Sequence, residues 1–174
     1  MIAPAARVTP ETRFVRQASP VRVRRLNFRE VIKSWFPVVI WIAVIFLGST
    51  DLMSAEHTSR FITPFLRWLK PDISVAAIVQ VHFFVRKTAH LSEYAILATL
   101  IFRALRQVMA RFQWRALAAL FSAVLFASAD EFHQSFVTSR TASLGDVGID
   151  SIGAVVGLLL CGMFYLGRGR RKLR

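Results

Sequence analysis

Residues 34–50 read SWFPVVIWIAVIFLGST, 17 residues without a single charge. A helix needs about 20 predominantly apolar residues to cross the roughly 30 Å hydrocarbon core of a bilayer. With its polar-flanked ends the run reaches that length, and Pro37 is placed in the first turn, where a missing N–H costs little. Three further apolar stretches follow at 88–105, 116–132 and 144–166, each rich in Leu, Ile, Val, Phe and Ala. These three also hold acids or His, which lowers their mean hydropathy below that of the first. Any one of them reads equally well as a buried helix of a soluble domain. Four within 174 residues point instead to an all-α, polytopic membrane protein: a small bundle of four transmembrane helices.

The distribution of charge sets the expected orientation. The chain carries 23 Lys+Arg against 10 Asp+Glu, a net charge of +13, which in a soluble protein would suggest a nucleic-acid partner. Here 17 of the 23 basic residues precede the first span, separate the second from the third, or follow the fourth. If the spans alternate, these share one side, and the positive-inside rule makes it the cytoplasm. Both termini are then cytoplasmic, loops 51–87 and 133–143 face outward, and the expected location is a bacterial cytoplasmic (inner) membrane. The charge reads as a topology signal, so no nucleic-acid partner is expected. Arg24-Arg25-Leu26-Asn27-Phe28 is similar to a twin-Arg export signal, but no A-x-A cleavage site follows, and the first span is read as retained. Residues 1–30 read as a basic, disordered cytoplasmic tail, 34–166 as the transmembrane domain, and 167–174 as a second basic tail. Cys161 is the sole cysteine, which excludes an intrachain disulfide framework. In loop 51–87, Phe61, Ile62, Phe65, Leu66, Trp68 and Leu69 lie beside Arg60, Arg67 and Lys70, with Pro64 and Pro71 as breaks. That pattern reads as an amphipathic segment lying in the outer interface. Residues 72–85 then read as helical and continuous with the second span.

Ionisable groups inside a span cost about 2.5–3.5 kcal/mol each at its centre, so their positions carry information. In the second span Lys87, His90, Glu93 and Tyr94 fall within an arc of roughly 120°. In the third, Ala119, Ala123, Ala127, Asp130 and Gln134 share one narrow stripe, with Glu131 beside it. In the fourth, Asp146, Asp150, Gly153 and Gly157 lie within about 60° of one another. Gly153-x-x-x-Gly157 also permits a close helix approach, within the chain or in an oligomer. Counting about 1.5 Å per residue from the cytoplasmic arginines places His90, Glu93, Asp130, Glu131 and Asp150 together in the outer half of the bilayer.

Three accounts fit this cluster. Lys87 and Arg140 can pair with the acids and fix helix register. Alternatively, the cluster binds or transforms a polar headgroup: Lys87, Tyr94, Gln134, Arg140, Asp146 and Asp150 hold it, Arg86 assists, and His90, Glu93, Asp130 and Glu131 are the acid–base candidates. A metal site is disfavoured, because Arg86, Lys87 and Arg140 crowd a cation and neither HExxH nor paired ExxH spacing is present. No cofactor is expected. Both a binding role and catalysis remain open at this level, with membrane lipids and a lipid-linked or glycopeptide ligand as the expected partners.

The ordered set Lys87-x-x-His90-x-x-x-Tyr94, Asp130-Glu131-x-x-Gln134, Arg140, Asp146, and a last span with Gly153 and Gly157 resembles the VanZ-like family over residues 34–166. Asp150 stands where that family commonly has Asn, and His133 where it is usually apolar. The resemblance implies a membrane protein of the cell envelope, since the family's namesake is associated with low-level resistance to the glycopeptide teicoplanin. It implies no defined reaction.

Overall fold

The computed structural model describes residues 27–50, 55–136 and 143–171, and among them it is helical throughout, with no strand. Five α-helices follow in order: α1 Phe28–Gly48, α2 Ala55–Leu69, α3 Val75–Ala104, α4 Phe112–Gln134 and α5 Leu144–Arg171. A short 3₁₀ turn, Leu105–Gln107, ends α3. Three of these helices, α1, α4 and α5 up to Tyr165, are long and apolar enough to cross a membrane. The helix over the expected second span, α3, falls short on that criterion alone, because Arg86, Lys87, His90 and Glu93 interrupt its apolar sequence.

α1 begins earlier than the charge-free run suggests. The Asn27 side chain accepts the Arg29 N–H at 3.2 Å, and Glu30 in the first turn favours the positive end of the helix dipole. The helix thus starts three residues inside the segment assigned to the tail. Pro37, expected in the first turn, therefore sits mid-helix and leaves the Lys33 carbonyl without its i+4 donor. At 21 residues α1 is about 31 Å long, matched to a bilayer core. Its inward face is Val38, Trp41, Ile42, Ile45 and Ser49, spaced at three and four residues.

Pro64 likewise lies inside α2 rather than breaking it, whereas Pro71 does follow the helix end. α2 is strongly two-faced, with Phe61, Phe65, Trp68 and Leu69 exposed. It rests on the start of α3, where Thr63 Oγ1 and His82 Nε2 are 3.2 Å apart. Ser74 caps α3 by accepting the Ala77 N–H, and the helix then runs unbroken for 30 residues, about 45 Å. That continuity through residues 75–85 into the second apolar stretch agrees with the sequence pattern.

The bundle core is built on α3, which packs on α1, α4 and most extensively on α5. Gly153 and Gly157 are the reason for that last contact. A Cβ on Gly153 would overlap the Leu91 carbonyl oxygen and stand 3.0 Å from its Cα, and a Cβ on Gly157 would do the same at Ala95. These glycines thus seat α5 directly on the α3 backbone of the same chain. Ala119, Ala123 and Ala127, all buried, form the corresponding small-residue face of α4. At the other end Gln107 Nε2 donates to the Glu30 carbonyl at 2.7 Å and to Ser34 Oγ, tying the end of α3 to the start of α1. Arg115 is buried there with its guanidinium 4.7 Å from the Phe102 ring centroid, a cation–π contact.

Gly153→Leu or Gly157→Leu is expected to cost about 1–3 kcal/mol or more through overpacking. Gly148, where an added Cβ would meet nothing within 4 Å, should accept Ala at no cost or with a gain of up to about 1 kcal/mol. Thermal unfolding of the purified protein in detergent measures both.

Candidate functional site, a buried polar centre at one end of the bundle

The end of α1, the end of α4, the start of α5 and the middle of α3 meet at one end of the bundle. There the buried polar side chains are Ser49, His90, Asp130, Glu131, Gln134, Asp146 and Asp150. Of the ten site residues expected from the sequence, eight come together here: Lys87, His90, Tyr94, Asp130, Glu131, Gln134, Asp146 and Asp150. Glu93 sits on the same stretch of α3, where its carbonyl accepts the Trp41 indole N–H at 2.9 Å. Arg140 lies outside the described residues.

The cluster divides into two halves. Between α3 and α5, Lys87 Nζ pairs with Asp146 Oδ1, and Arg86 Nη2 stands 3.7 Å from the other Asp146 oxygen. One helical turn deeper, His90 Nδ1 lies 3.1 Å from Asp150 Oδ1. Asp150 is 1% exposed, so this contact is sealed from outside the bundle. A carboxylate on one ring nitrogen orients the imidazole and leaves Nε2 for other work.

Between α1 and α4 the bonding is of a different kind. Ser49 Oγ donates to Asp130 Oδ2 at 2.7 Å, and Gln134 Nε2 donates to the same oxygen at 2.9 Å. The adjacent Glu131 turns the other way and accepts the Ser143 backbone N–H, at the N-terminus of α5. Ser143 in turn takes the Gly145 N–H on its hydroxyl, so Glu131 and Ser143 together close the start of α5. Neither Asp130 nor Glu131 has a basic partner within 4.0 Å among the described residues.

Several buried polar atoms in this half find no partner among the described residues: Tyr94 OH, Asp130 Oδ1, Glu131 Oε2 and Gln134 Oε1. Tyr94 is 1% and Gln134 0% exposed, so solvent at the molecular surface does not reach them. Leaving such an atom unpaired costs about 1–3 kcal/mol, more for a charged one. Three of the four are acceptors, and the fourth is a hydroxyl that both donates and accepts. The half-site therefore calls for a group rich in N–H or O–H donors. His133, ambiguous from sequence, stacks on Phe46 with ring centroids 4.3 Å apart, at the edge of this region. Ser49 and Ser143 are site residues that sequence reasoning misses, although Ser49 nearly ends the charge-free run, at the depth counted for Asp130.

This geometry, a buried polar centre roofing a bundle of membrane-length apolar helices, defines a multi-pass membrane protein. The VanZ/LLP1 family matches residues 34–165, three quarters of the chain, and the chain belongs to that family. Neither the curated proteins nor the solved structures contain a significant match to it.

The pairing around Asp146 is unequal, and that is measurable. Lys87→Met leaves Asp146 with Arg86, whereas Asp146→Asn leaves two cations facing no acid. Asp146→Asn should therefore destabilise more, by about 3–5 kcal/mol, and Lys87→Met less. Adding Lys87→Met to Asp146→Asn should recover part of the loss in a thermal-shift assay in nanodiscs.

Proposed function

We propose that this protein is a four-span envelope membrane protein, with both termini cytoplasmic, whose polar centre binds the polar head of an amphiphile from the outer leaflet. The candidates are a lipid headgroup, a cell-wall precursor or a lipophilic glycopeptide, which would connect the chain to glycopeptide resistance of the teicoplanin type. α3 serves as the second span, its charges matched by Asp146 and Asp150 of α5 rather than exposed to lipid. α2 lies in the outer interface on its Phe61, Phe65 and Trp68 face.

The observation that carries this reading is the set of unpartnered buried atoms on Tyr94, Asp130, Glu131 and Gln134, converging from two helices beside a third. A purely structural network would have closed these bonds internally, as the Ser49–Asp130–Gln134 group does on its other oxygen. Arg140, expected from the sequence to meet an anion, enters this reading from the sequence alone.

A second reading is favoured by one observation, the His90–Asp150 contact. An imidazole oriented by a carboxylate, with Asp130 and Glu131 nearby, is a workable acid–base set for a membrane enzyme acting on a phosphorylated or acylated lipid.

Purified protein in nanodiscs, titrated with polyprenyl phosphates, phospholipids and teicoplanin, separates the two. Binding predicts saturable uptake without turnover, weakened about tenfold or more by Tyr94→Phe or Arg140→Ala. Catalysis predicts product formation that His90→Gln abolishes. If these changes lower only the melting temperature and leave uptake intact, the polar centre is structural. Orientation is tested separately in a Cys161→Ala background. A Cys at Ser139 should react with an impermeant maleimide from outside, and a Cys at exposed Gln113 should not.

A further inference from the structure

Beside the polar centre, a lateral cavity of about 170 Å³ opens between α1, α3 and α4. Its apolar wall is Ile42, Ile45 and Phe46 of α1, Leu97 of α3, and Phe126 and Ala129 of α4. Two polar residues complete it, Tyr94 and Asp130, each carrying one of the unpartnered buried atoms.

The order of these residues along the helices gives the cavity a direction. α1 and α4 run toward the polar end of the bundle and α3 runs away from it. Ile42, Ile45 and Phe46 precede Ser49, Phe126 and Ala129 precede Asp130, and Leu97 follows Tyr94. On every helix, then, the apolar wall lies on the deep side of the polar group. An amphiphile entering here has its polar end at Asp130 and Tyr94 and its chain pointing toward the middle of the bundle.

The mouth is apolar as well. Phe46 and Phe126 flank it, 49% and 39% exposed, and continue into exposed Leu47, Phe121 and Leu125 on the outer surfaces of α1 and α4. On membrane-length helices these surfaces contact hydrocarbon, so the cavity is reached from within the bilayer. Its volume falls below the roughly 300–1,000 Å³ of pockets that enclose drug-sized ligands, which fits a single chain segment.

We propose that the cavity between α1, α3 and α4 receives one chain of a membrane lipid whose polar end donates hydrogen bonds to Asp130 and Tyr94. The donors are the discriminating feature: Asp130 Oδ1 is an acceptor without a partner, and a carboxylate with no basic neighbour among the described residues is best satisfied by a primary ammonium. A fully methylated ammonium carries the same charge but offers no N–H. This deepens the headgroup-binding reading above and rests on it.

Two photoactivatable lipids test it, a phosphatidylethanolamine and a phosphatidylcholine with identical diazirine-bearing chains, each presented to the full-length protein in nanodiscs. The expected result is labelling of the α1 segment 41–47 and the α4 segment 121–130, at least fivefold stronger with the ethanolamine lipid. Asp130→Asn should reduce that preference to below twofold. Tyr94→Phe, which removes only the hydroxyl, should weaken it as well and covers the case in which Asp130→Asn fails to fold. Ala129→Trp fills the cavity and should remove the labelling with both lipids, whereas Leu125→Trp, on the outer face of α4, should not. Equal labelling by the two lipids in the unmodified protein overturns the recognition of the polar end. Labelling unchanged in Ala129→Trp overturns the cavity. In that last case, retained uptake of a precursor by Ala129→Trp would leave the headgroup site standing, while loss of both would remove the broader reading too.

Discussion

The approach of α5 to the α3 backbone at Gly153 and Gly157 sets the geometry on which the polar centre depends. Within lipid there is no hydrophobic gain from bringing two apolar helices together, and association relies on close van der Waals packing and interhelical hydrogen bonds. Two glycines one turn apart supply the packing by letting the Leu91 and Ala95 carbonyls occupy the space of missing side chains. Register then follows directly. Asp150, three residues before Gly153, arrives beside His90, one residue before Leu91, and Asp146 arrives beside Lys87 another turn along. A shift of either helix by one residue would separate both pairs and leave charges buried without partners.

That register also determines which charges are left over. Lys87 is paired with Asp146, Arg86 stands 3.7 Å from the same carboxylate with its Nε and Nη2 unbonded, and His90 meets Asp150. Acidic groups on α4 remain, and their hydrogen bonds come from neutral donors: the Ser49 hydroxyl, the Gln134 amide and the Ser143 backbone. The cluster that reads from sequence as a mixed pocket, with lysine and arginine ready for a phosphate, is thus sorted into a neutralised half and an acceptor-rich half. In that second half, among the described residues, the unpartnered atoms favour donors over anions, whereas Arg86 in the first half keeps two unbonded donors.

Much of this is legible in periodicity. The 119–123–127–130–134 stripe of α4 and the 146–150–153–157 stripe of α5 are buried as their spacing implies, because a helix places residues three and four apart on one face whatever surrounds it. Helix ends are less legible. Charge-free length locates α1 at residue 34, but the cap at Asn27 and the polar first turn carry it back to Phe28, which moves Pro37 to mid-helix. Pro64 departs from its reading as a break: it lies inside α2, where it leaves the Arg60 carbonyl without its i+4 donor rather than ending the helix. Ser49 is easily passed over because a lone serine in an apolar run carries no pattern. Only the arrival of Asp130 81 residues later gives it meaning. Glu131 reads as an acid–base candidate, and the bond one of its oxygens accepts from the Ser143 amide, just before α5, is set by a connection whose path no spacing rule predicts.

The separation in sequence between α3 and α5 bears on how the chain is made. Lys87 and His90 are synthesised 59 and 60 residues before the acids they meet. At about 5–20 residues per second, the ribosome takes roughly 3–12 s to supply those partners. In the four-span arrangement, α3 therefore leaves the ribosome with its cations and acid unmatched and cannot settle into hydrocarbon alone without their full insertion cost. α1 carries no such burden. The most apolar helix can enter the bilayer independently, while α3 must wait in a protected or partly aqueous setting until α5 emerges, so that this small bundle completes its insertion only with its last helix.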